Sequence, residues 1–237
     1  MKLPERAIVK VSACGIFTEP TFKSEMVNQA LIDEEVLISN KKDSWYKIEL
    51  KHDKYIGWIH EMYLTFDKNN IEDYQGYFRD EYKERFLGNP IINKAFKMLG
   101  KPYLWGGRSF QGYDCSGFVQ ACIKSLGVSF PRDARDQVNS TLLYEIDFKD
   151  ISTGDLLFFE EENLVTHVAI NIDIEKAITH QLYCHNKTSA YIGSIIHSYG
   201  SVKISVIIFD NQSYGVVDHN PEKKIKLYKI MRLKENE

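Results

Sequence analysis

The sequence predicts an α+β protein in which a small antiparallel β-barrel precedes a domain of helices and a sheet. Short segments rich in β-branched and aromatic residues fill residues 7–66, and no stretch of helical period interrupts them. Further along, helical segments come first and strand-like segments follow residue 150, an order typical of α+β domains. These changes divide the chain into a barrel at 1–66, a linker at 67–89 and a second domain at 90–237.

The composition narrows the range of functions. The chain has 237 residues, 43% of them hydrophobic, so it is long enough to bury a substantial core. Its formal net charge of −3 gives no reason to expect nucleic acid or an anionic membrane as a partner. The longest apolar runs, such as 204–209, are too short to span a bilayer. We therefore expect neither class of partner.

The N-terminus and the cysteines suggest a compartment. Pro4, Glu5, Arg6 and Lys10 interrupt the apolar run that a secretory signal needs, so with Met1 as the native start we expect a cytoplasmic protein. The cysteines could form two disulfides, but a single functional thiol among buried small residues suits a reducing compartment better. Their spacing contains no C-x-x-C pair, so we expect no metal site and no cofactor. The cysteines are Cys14, Cys115, Cys122 and Cys184.

The barrel strands are short and separated by polar turns. A small antiparallel barrel is the arrangement that such closely spaced strands favour. The predicted strands are 7–11, 35–40, 45–50 and 55–60.

Two helices open the second domain. Asn89 and Pro90 provide an N-cap and a first helical residue, and Gly100 is a natural stop. A glycine-punctuated loop over 101–112 leads to a second helix that begins near Cys115. The apolar residues of this helix recur at the spacing of one helical face, and Gly127 ends the pattern. That face contains Phe118, Val119, Cys122, Ile123 and Leu126.

Cys115 has the position of a reactive thiol. The first turn of a helix carries unpaired amide groups and partial positive charge, which stabilise a thiolate. A cysteine nucleophile needs a base, and the base needs an orienting group. His167 begins one predicted strand, and His197 lies within another. The order Cys, His, His, with the cysteine opening a helix that packs on a sheet, is the papain-like arrangement.

Several ordered motifs make the second domain recognisable. The segments YLWGG (103–107), YDCSGFVQ (113–120), TGDLLFF (153–159), THVAI (166–170) and IIHSYG (195–200) resemble those of NlpC-type cell-wall cysteine peptidases. The resemblance covers about residues 90–210. It implies a papain-like α+β fold and hydrolysis of peptide bonds in peptidoglycan stem peptides. It also implies site roles: Cys115 as nucleophile, His167 as general base, His197 as the residue that orients His167, and Tyr103 in the oxyanion region.

One feature departs from that pattern. His197 follows His167 by 30 residues (197 − 167), further than the third residue usually follows the base in the family. The segment 171–193 therefore looks like an insertion, and His180 within it is a rival orienting residue. We prefer His197 because its segment continues into a strand, as the motif does in relatives. A metal site at Cys184 and His185 is not favoured, because their spacing is irregular.

The first domain resembles a bacterial Src-homology-3-like barrel, with YIGWIHEMYL (55–64) as its closing segment. A barrel followed by this catalytic domain resembles the γ-D-glutamyl-L-diamino-acid endopeptidases. That resemblance implies a pocket for the free amine of an N-terminal L-alanine, because carboxylates and hydroxyls accept hydrogen bonds from an ammonium group. The motifs SEMVNQ (24–29) and PRDARDQ (131–137) supply two of its residues. The implied substrate-binding residues are Glu25, Tyr55, Asp114, Ser116 and Asp133.

Three functions compete on this basis. The first is a cysteine endopeptidase that cuts the bond between γ-D-glutamate and meso-diaminopimelate or lysine in murein peptides, in cytosolic recycling. The second is an exported wall lysin or an amidase or acyltransferase of the same fold. The third is a non-catalytic wall-binding module, which the intact Cys-His-His set disfavours.

Overall fold

The structure is a computed structural model that describes residues 4–66, 89–177, 190–210, 214–217 and 220–234. These residues form two compact units. The first unit contains 4–66 together with 104–114, and the second contains 89–103 together with the residues from 115 onward. Apart from Asn89, the predicted linker lies outside the described residues.

The first unit is built on a seven-stranded antiparallel sheet in the order β3-β2-β6-β5-β4-β1-β7. Alternate side chains point inward, and a core forms around Val9, Ile16, Ile48 and Ile59, none of which is exposed to solvent. The strands are β1 (Arg6–Val9), β2 (Ala13–Phe17), β3 (Met26–Leu31), β4 (Glu35–Lys42), β5 (Trp45–Leu50), β6 (Ile56–His60) and β7 (Leu64–Thr65).

A small hairpin from later in the chain completes the first unit. Strands β8 (Arg108–Ser109) and β9 (Gly112–Tyr113) pair with each other inside the segment predicted as a loop. Gly106 lets this segment approach β3 closely, since a Cβ there would lie 2.5 Å from the Met26 carbonyl oxygen. Its positive φ of 73° is also a conformation that glycine adopts readily. The sequence boundaries had placed this segment in the second domain.

Arg108 ties the hairpin to the barrel. Its side chain is only 3% exposed, and its guanidinium forms a two-pronged ion pair with Glu34. The Nε atom donates to Asn28 Oδ1 at 3.0 Å and to the Gln29 carbonyl oxygen at 2.6 Å. A buried guanidinium satisfied by several acceptors fixes geometry more tightly than a flexible ammonium could. Arg108 is therefore a principal anchor of this segment, alongside the hydrogen bond that Gln29 donates to Gln111.

The second unit begins with the predicted helices. Helix α1 (Pro90–Phe96) has Asn89 as its N-cap, and the Asn89 side chain accepts hydrogen bonds from the Ile91 and Ile92 amides. Helix α2 (Cys115–Lys124) begins at Cys115, as predicted, and buries Phe118, Val119 and Cys122. A short helix, α3 (Ala134–Gln137), follows.

The sheet of the second unit curls into a closed ring. Its order is β10-β16-β11-β12-β13-β14-β15, and β15 also pairs with β16. This pairing closes a ring from β16 to β15, and β10 pairs with β16 outside the ring. Residues such as Leu157, Phe159, Ile195 and Phe209 form a buried core. The strands are β10 (Leu143–Glu145), β11 (Leu156–Glu161), β12 (Leu164–Ala177), β13 (Ala190–Tyr199), β14 (Ser201–Asp210), β15 (Tyr214–Val217) and β16 (Asn220–Leu233).

Pairing makes β12 and β13 longer than their local sequence suggested. The ladder continues to Ala177 opposite Ala190, so the flanks of the predicted insertion are strands. The centre of that insertion, 178–189, lies outside the described residues, and with it His180, Cys184 and His185. Within the described part of the chain, the helices are too short and too polar to cross a membrane.

Replacing Arg108 tests its anchoring role. We expect Arg108→Met to lower the free energy of unfolding of the first unit by about 3–5 kcal/mol, because Glu34 would lose its buried guanidinium partner. All three tryptophans, Trp45, Trp58 and Trp105, belong to this unit, so tryptophan fluorescence in urea reports its unfolding.

The matched control is Arg6→Met, which breaks an ion pair with Glu35 whose arginine side chain is 68% exposed. It should cost less than about 1 kcal/mol. Equal losses for the two variants would contradict the anchoring role of Arg108.

Candidate active site

The nucleophile candidate lies at the start of α2, beside the strand that carries the first histidine. Cys115 is partly exposed, and its Sγ atom lies 3.9 Å from the carbonyl oxygen of Thr166. That carbonyl belongs to the peptide bond that joins Thr166 to His167. The thiol therefore lies next to the backbone of the predicted base, in the helical turn where amide groups favour a thiolate.

The two predicted histidines contact each other directly. His167 Nε2 and His197 Nδ1 are 2.9 Å apart, and their rings meet edge to face at 76°. His197 is 2% exposed, whereas His167 is partly exposed. A buried imidazole that holds one nitrogen of a more accessible imidazole has the geometry of an orienting group.

Sheet register explains how residues 30 positions apart meet. Strands β12 and β13 pair with Ile170 opposite Ile196, which puts His167 and His197 on the same face as diagonal neighbours. Because the strands continue beyond this point, the segment between them can lengthen without moving either histidine. The spacing that departs from the family pattern is thus compatible with contact between the two side chains.

Two residues that the sequence analysis did not single out also contact the histidines. Ser205 Oγ lies 3.0 Å from His197 Nε2. The ring of Tyr199 stacks on His197 with centroids 6.1 Å apart and meets His167 edge-on at 6.4 Å. Ser205 is a polar residue within the apolar segment 204–209, and that exception was the available sequence signal.

Tyr103 is attached to the same end of the sheet. Its backbone amide donates to the Gly200 carbonyl oxygen at 2.9 Å, and Gly200 forms the tight turn between β13 and β14 with a φ of 71°. Pro102 also bridges to Ser201. The partner of Tyr103, Gly200, follows His197 by three residues on the chain. The role of Tyr103 in the oxyanion region stays a prediction.

Ser116 accepts a hydrogen bond from a buried arginine. Arg132 is 2% exposed, and its Nη1 atom donates to Ser116 Oγ at 2.9 Å. Asp133, the next residue, is partly exposed and caps α3 through its backbone. The Ser116 hydroxyl thus already accepts a hydrogen bond from a cation. An ammonium group at Ser116 would need carboxylates to offset that charge.

The other predicted amine-binding residues belong to the first unit. Glu25 is exposed just before β3, and Tyr55 packs partly against the barrel core. Asp114 is 7% exposed, and its carboxylate accepts a hydrogen bond from the Gly106 amide at 2.9 Å. The five predicted residues are thus divided between the units, and their joint action stays a prediction.

The described thiols differ in their surroundings. Burial, with a further contribution from the charge of Glu34, raises the pKa of Cys14 to about 12. Burial also raises the pKa of Cys122, which lies on the apolar face of α2. Both are therefore protonated, inert core residues near neutral pH. Among the residues that the structure describes, we find no cluster of three His, Cys, Asp or Glu side chains that could hold a metal ion.

Comparison with known families confirms the resemblance drawn from the motifs. Residues 100–203 match the model of the NlpC/P60 family, and residues 16–64 match that of the bacterial dipeptidyl-peptidase Sh3 domain. The chain thus carries an NlpC/P60 domain after a bacterial Src-homology-3-like domain. The predicted fold class, a small β-barrel followed by a papain-like α+β domain, is confirmed as well.

Similar curated proteins share part of this chain. A γ-D-glutamyl-L-lysine dipeptidyl-peptidase of Bacillus subtilis is 44% identical over 93 residues, which cover 38% of this chain and 31% of the relative. The protein of the same name from Bacillus cereus is 39% identical over 85 residues, covering 35% and 25%. The bifunctional muramidase/DL-endopeptidase CwlT of Bacillus subtilis is 38% identical over 86 residues, covering 35% and 26%. The matched segments span a third or less of these relatives.

Solved structures agree on the fold. An NlpC/P60 family protein from Bacillus cereus superposes with a TM-score of 0.65 at 20% identity, covering 96% of this chain and 99% of that one. An NlpC/P60 endopeptidase from Photobacterium damselae gives a TM-score of 0.57 at 13% identity, covering 97% and 73%. At such identities the likeness extends to the fold alone.

Thiol alkylation distinguishes Cys115 from the structural cysteines. At pH 7 a thiol with a pKa near 12 is ionised in about one molecule in 100,000, so Cys14 should resist iodoacetamide, as should Cys122. We expect Cys115 to react at least about tenfold faster than either, measured by mass spectrometry of peptides from the native protein.

The experiment is best done in a Cys184→Ser background, because Cys184 lies outside the described residues. Cys115→Ser provides the control for assignment of the label. Labelling of Cys115 no faster than that of Cys14 would contradict an activated thiol.

Proposed function

We propose that this chain, which carries an NlpC/P60 domain, is a cysteine endopeptidase of murein peptide recycling. It cuts the bond between γ-D-glutamate and the diamino acid in stem peptides that begin with a free L-alanine. The observation that carries the proposal is the 2.9 Å contact of His167 with buried His197, beside the strand position where Cys115 meets the Thr166 carbonyl. A thiol, a base and an orienting group are the parts that this chemistry requires.

The proposed path of the proton follows from which ring nitrogen of His167 contacts His197. His197 holds His167 Nε2, so proton exchange with the Cys115 thiol goes through His167 Nδ1. The thiolate attacks the γ-carbonyl carbon, and the resulting imidazolium protonates the departing amine of the diamino acid. Water then attacks the thioester with His167 as the base, which releases the γ-glutamyl product and restores the thiol.

The free-amine requirement is supported by the names of relatives and by charge. Two relatives are named dipeptidyl-peptidases, and such enzymes release two residues from a free amino terminus. In the sequence, Asp114 directly precedes Cys115, and Asp133 directly follows Arg132. Either carboxylate could offset the charge of an ammonium group near the guanidinium. Glu25 and Tyr55 are proposed to complete the recognition of this amine. Whether the diamino acid is lysine or meso-diaminopimelate can be decided by comparing cleavage of the two corresponding peptides.

A wall-degrading activity is the second candidate. It is supported by the name of CwlT, a muramidase and DL-endopeptidase that shares the matched segment. An enzyme that needs a free L-alanine cannot cut intact wall, in which that amine is amide-bonded. Release of peptides from purified sacculi would therefore favour the lysin over the recycling enzyme. A cytoplasmic location is part of the proposal of a recycling enzyme.

Blocking the substrate amine tests specificity. We expect kcat/KM for L-Ala-γ-D-Glu-diamino acid to fall about a thousandfold when the amino terminus is acetylated, because the carboxylates that face the ammonium would lose their partner. Mass spectrometry of the products gives the rates, and Cys115→Ala serves as the inactive control. Equal cleavage of both peptides would refute the amine requirement while leaving the peptidase intact.

The identity of the orienting histidine can be tested with a matched pair of variants. His197→Ala should lower kcat about 100-fold or more, because His167 would lose the group that holds its ring. His180→Ala, a change of the same size in the inserted segment, should leave kcat within about twofold, as a substitution outside the site does. The reverse result would assign the role to His180.

A further inference from the structure

We propose that Ser205 is a positioning residue that fixes the direction of the hydrogen bonds joining His167 to His197. Its Oγ atom lies 3.0 Å from His197 Nε2. Ser205 and His197 are each 2% exposed, so bulk water does not compete for this contact. The inference rests on the proposed function of the two histidines, since it assigns a role within the same proton relay.

The position of the hydrogen on His197 follows from the role of His167 as the proposed base. To accept a proton at Nδ1, neutral His167 carries its hydrogen at Nε2, and the imidazolium carries one there as well. In both states His167 donates to His197 Nδ1 across 2.9 Å. Neutral His197 must then carry its own hydrogen at Nε2, where Ser205 Oγ accepts it. Each state of the proposed reaction therefore requires the same tautomer of His197.

The sheet builds this relay diagonally across neighbouring strands. His197 on β13 lies opposite Lys203 on β14, and Ile195 lies opposite Ser205, so Ser205 is the diagonal neighbour of His197 on the same face. His167 occupies the corresponding diagonal position on β12. Three regular strands thus carry the three polar side chains. Because the three side chains are on paired strands and not on a loop, the hydrogen-bonded ladder fixes the distances between them.

A cation and an aromatic ring lie on the face of the sheet that carries His197. Lys203 faces it directly across the β13–β14 ladder, and the Lys203 ammonium lies 5.4 Å from the ring centroid of Tyr199. The Tyr199 ring in turn stacks on His197. A neutral His197 has one hydrogen, and its place on the ring decides the direction of the relay.

Loss of the Ser205 hydroxyl would leave a buried N–H group without its acceptor. The hydrogen could then move to His197 Nδ1, which would donate to His167 Nε2. His167 would in consequence carry its hydrogen at Nδ1, the nitrogen that has to accept the thiol proton. Removing one oxygen atom thus turns the base into a form that cannot act as one.

Nitrogen-15 NMR of the histidine side chains tests the tautomer directly. In the wild-type protein we expect two-bond proton–nitrogen correlations that show His197 protonated at Nε2 alone, with the signal assigned by its loss in His197→Gln. In Ser205→Ala the Nδ1-protonated form should appear, and in Ser205→Thr, which keeps a hydroxyl, the wild-type pattern should return. A wild-type His197 protonated at Nδ1, or at both nitrogens at the pH of activity, would overturn the proposal.

Kinetics provide the second readout. We expect Ser205→Ala to lower kcat about 10- to 100-fold with KM unchanged, the factor that corresponds to one buried donor without its acceptor. In a His197→Ala background the same substitution should have no further effect, because Ser205 acts through His197. Val206→Ala, on the outward face of the same strand with its side chain 41% exposed, is the matched control and should keep wild-type kcat.

The two proposals fail in different ways. If the wild-type protein cleaves no murein peptide, the proposed function fails, and the NMR spectra still decide the role of Ser205. If it cleaves the peptide and Ser205→Ala keeps both kcat and the tautomer, Ser205 is merely structural and the proposed function stands. Should Ser205→Ala not fold, the wild-type spectrum alone decides, since it either shows Nε2 protonation or overturns the inference.

Discussion

The hydrogen bond between His167 and His197 is the contact on which the candidate site depends, and sheet register is what makes it possible. A slip of one residue between β12 and β13 would turn one imidazole to the opposite face of the sheet. The pairing of β15 with β16 closes the ring and leaves those two strands without an open edge along the paired residues. A closed ladder is therefore a rigid support for a geometry that tolerates little error.

The residue before the candidate nucleophile, Asp114, is held in a different way. Asp114 belongs to the first unit, where its carboxylate accepts from Gly106 and its amide donates to the Gly107 carbonyl. The same segment is anchored to the barrel by buried Arg108. The segment that ends at Asp114 is therefore held within the first unit by contacts of both its backbone and its side chains.

Charge balance limits what can bind beside Cys115, the candidate nucleophile. The Arg132 guanidinium donates to Ser116, which follows Cys115 directly. A buried cation next to the first turn of α2 adds to the electrostatic preference for a thiolate, and it also repels a substrate ammonium. Recognition of a free amine there must therefore rely on carboxylates, so in the proposed pocket the acidic residues carry the affinity and Ser116 contributes mainly direction.

Local sequence alone determined the elements whose causes are local. Asn89 and Pro90 start α1, the apolar spacing defines α2 with Cys115 at its first turn, and alternating apolar residues mark most strands of both sheets. Among the strands that it missed are β2 and β3, because a glycine in one and the buried polar residues Asn28 and Gln29 in the other obscure the alternation. Tertiary structure alone decided that Arg108 pairs with Glu34 and that Ser205 meets His197, because such partners are chosen by register and burial between distant strands and not by their neighbours in the chain.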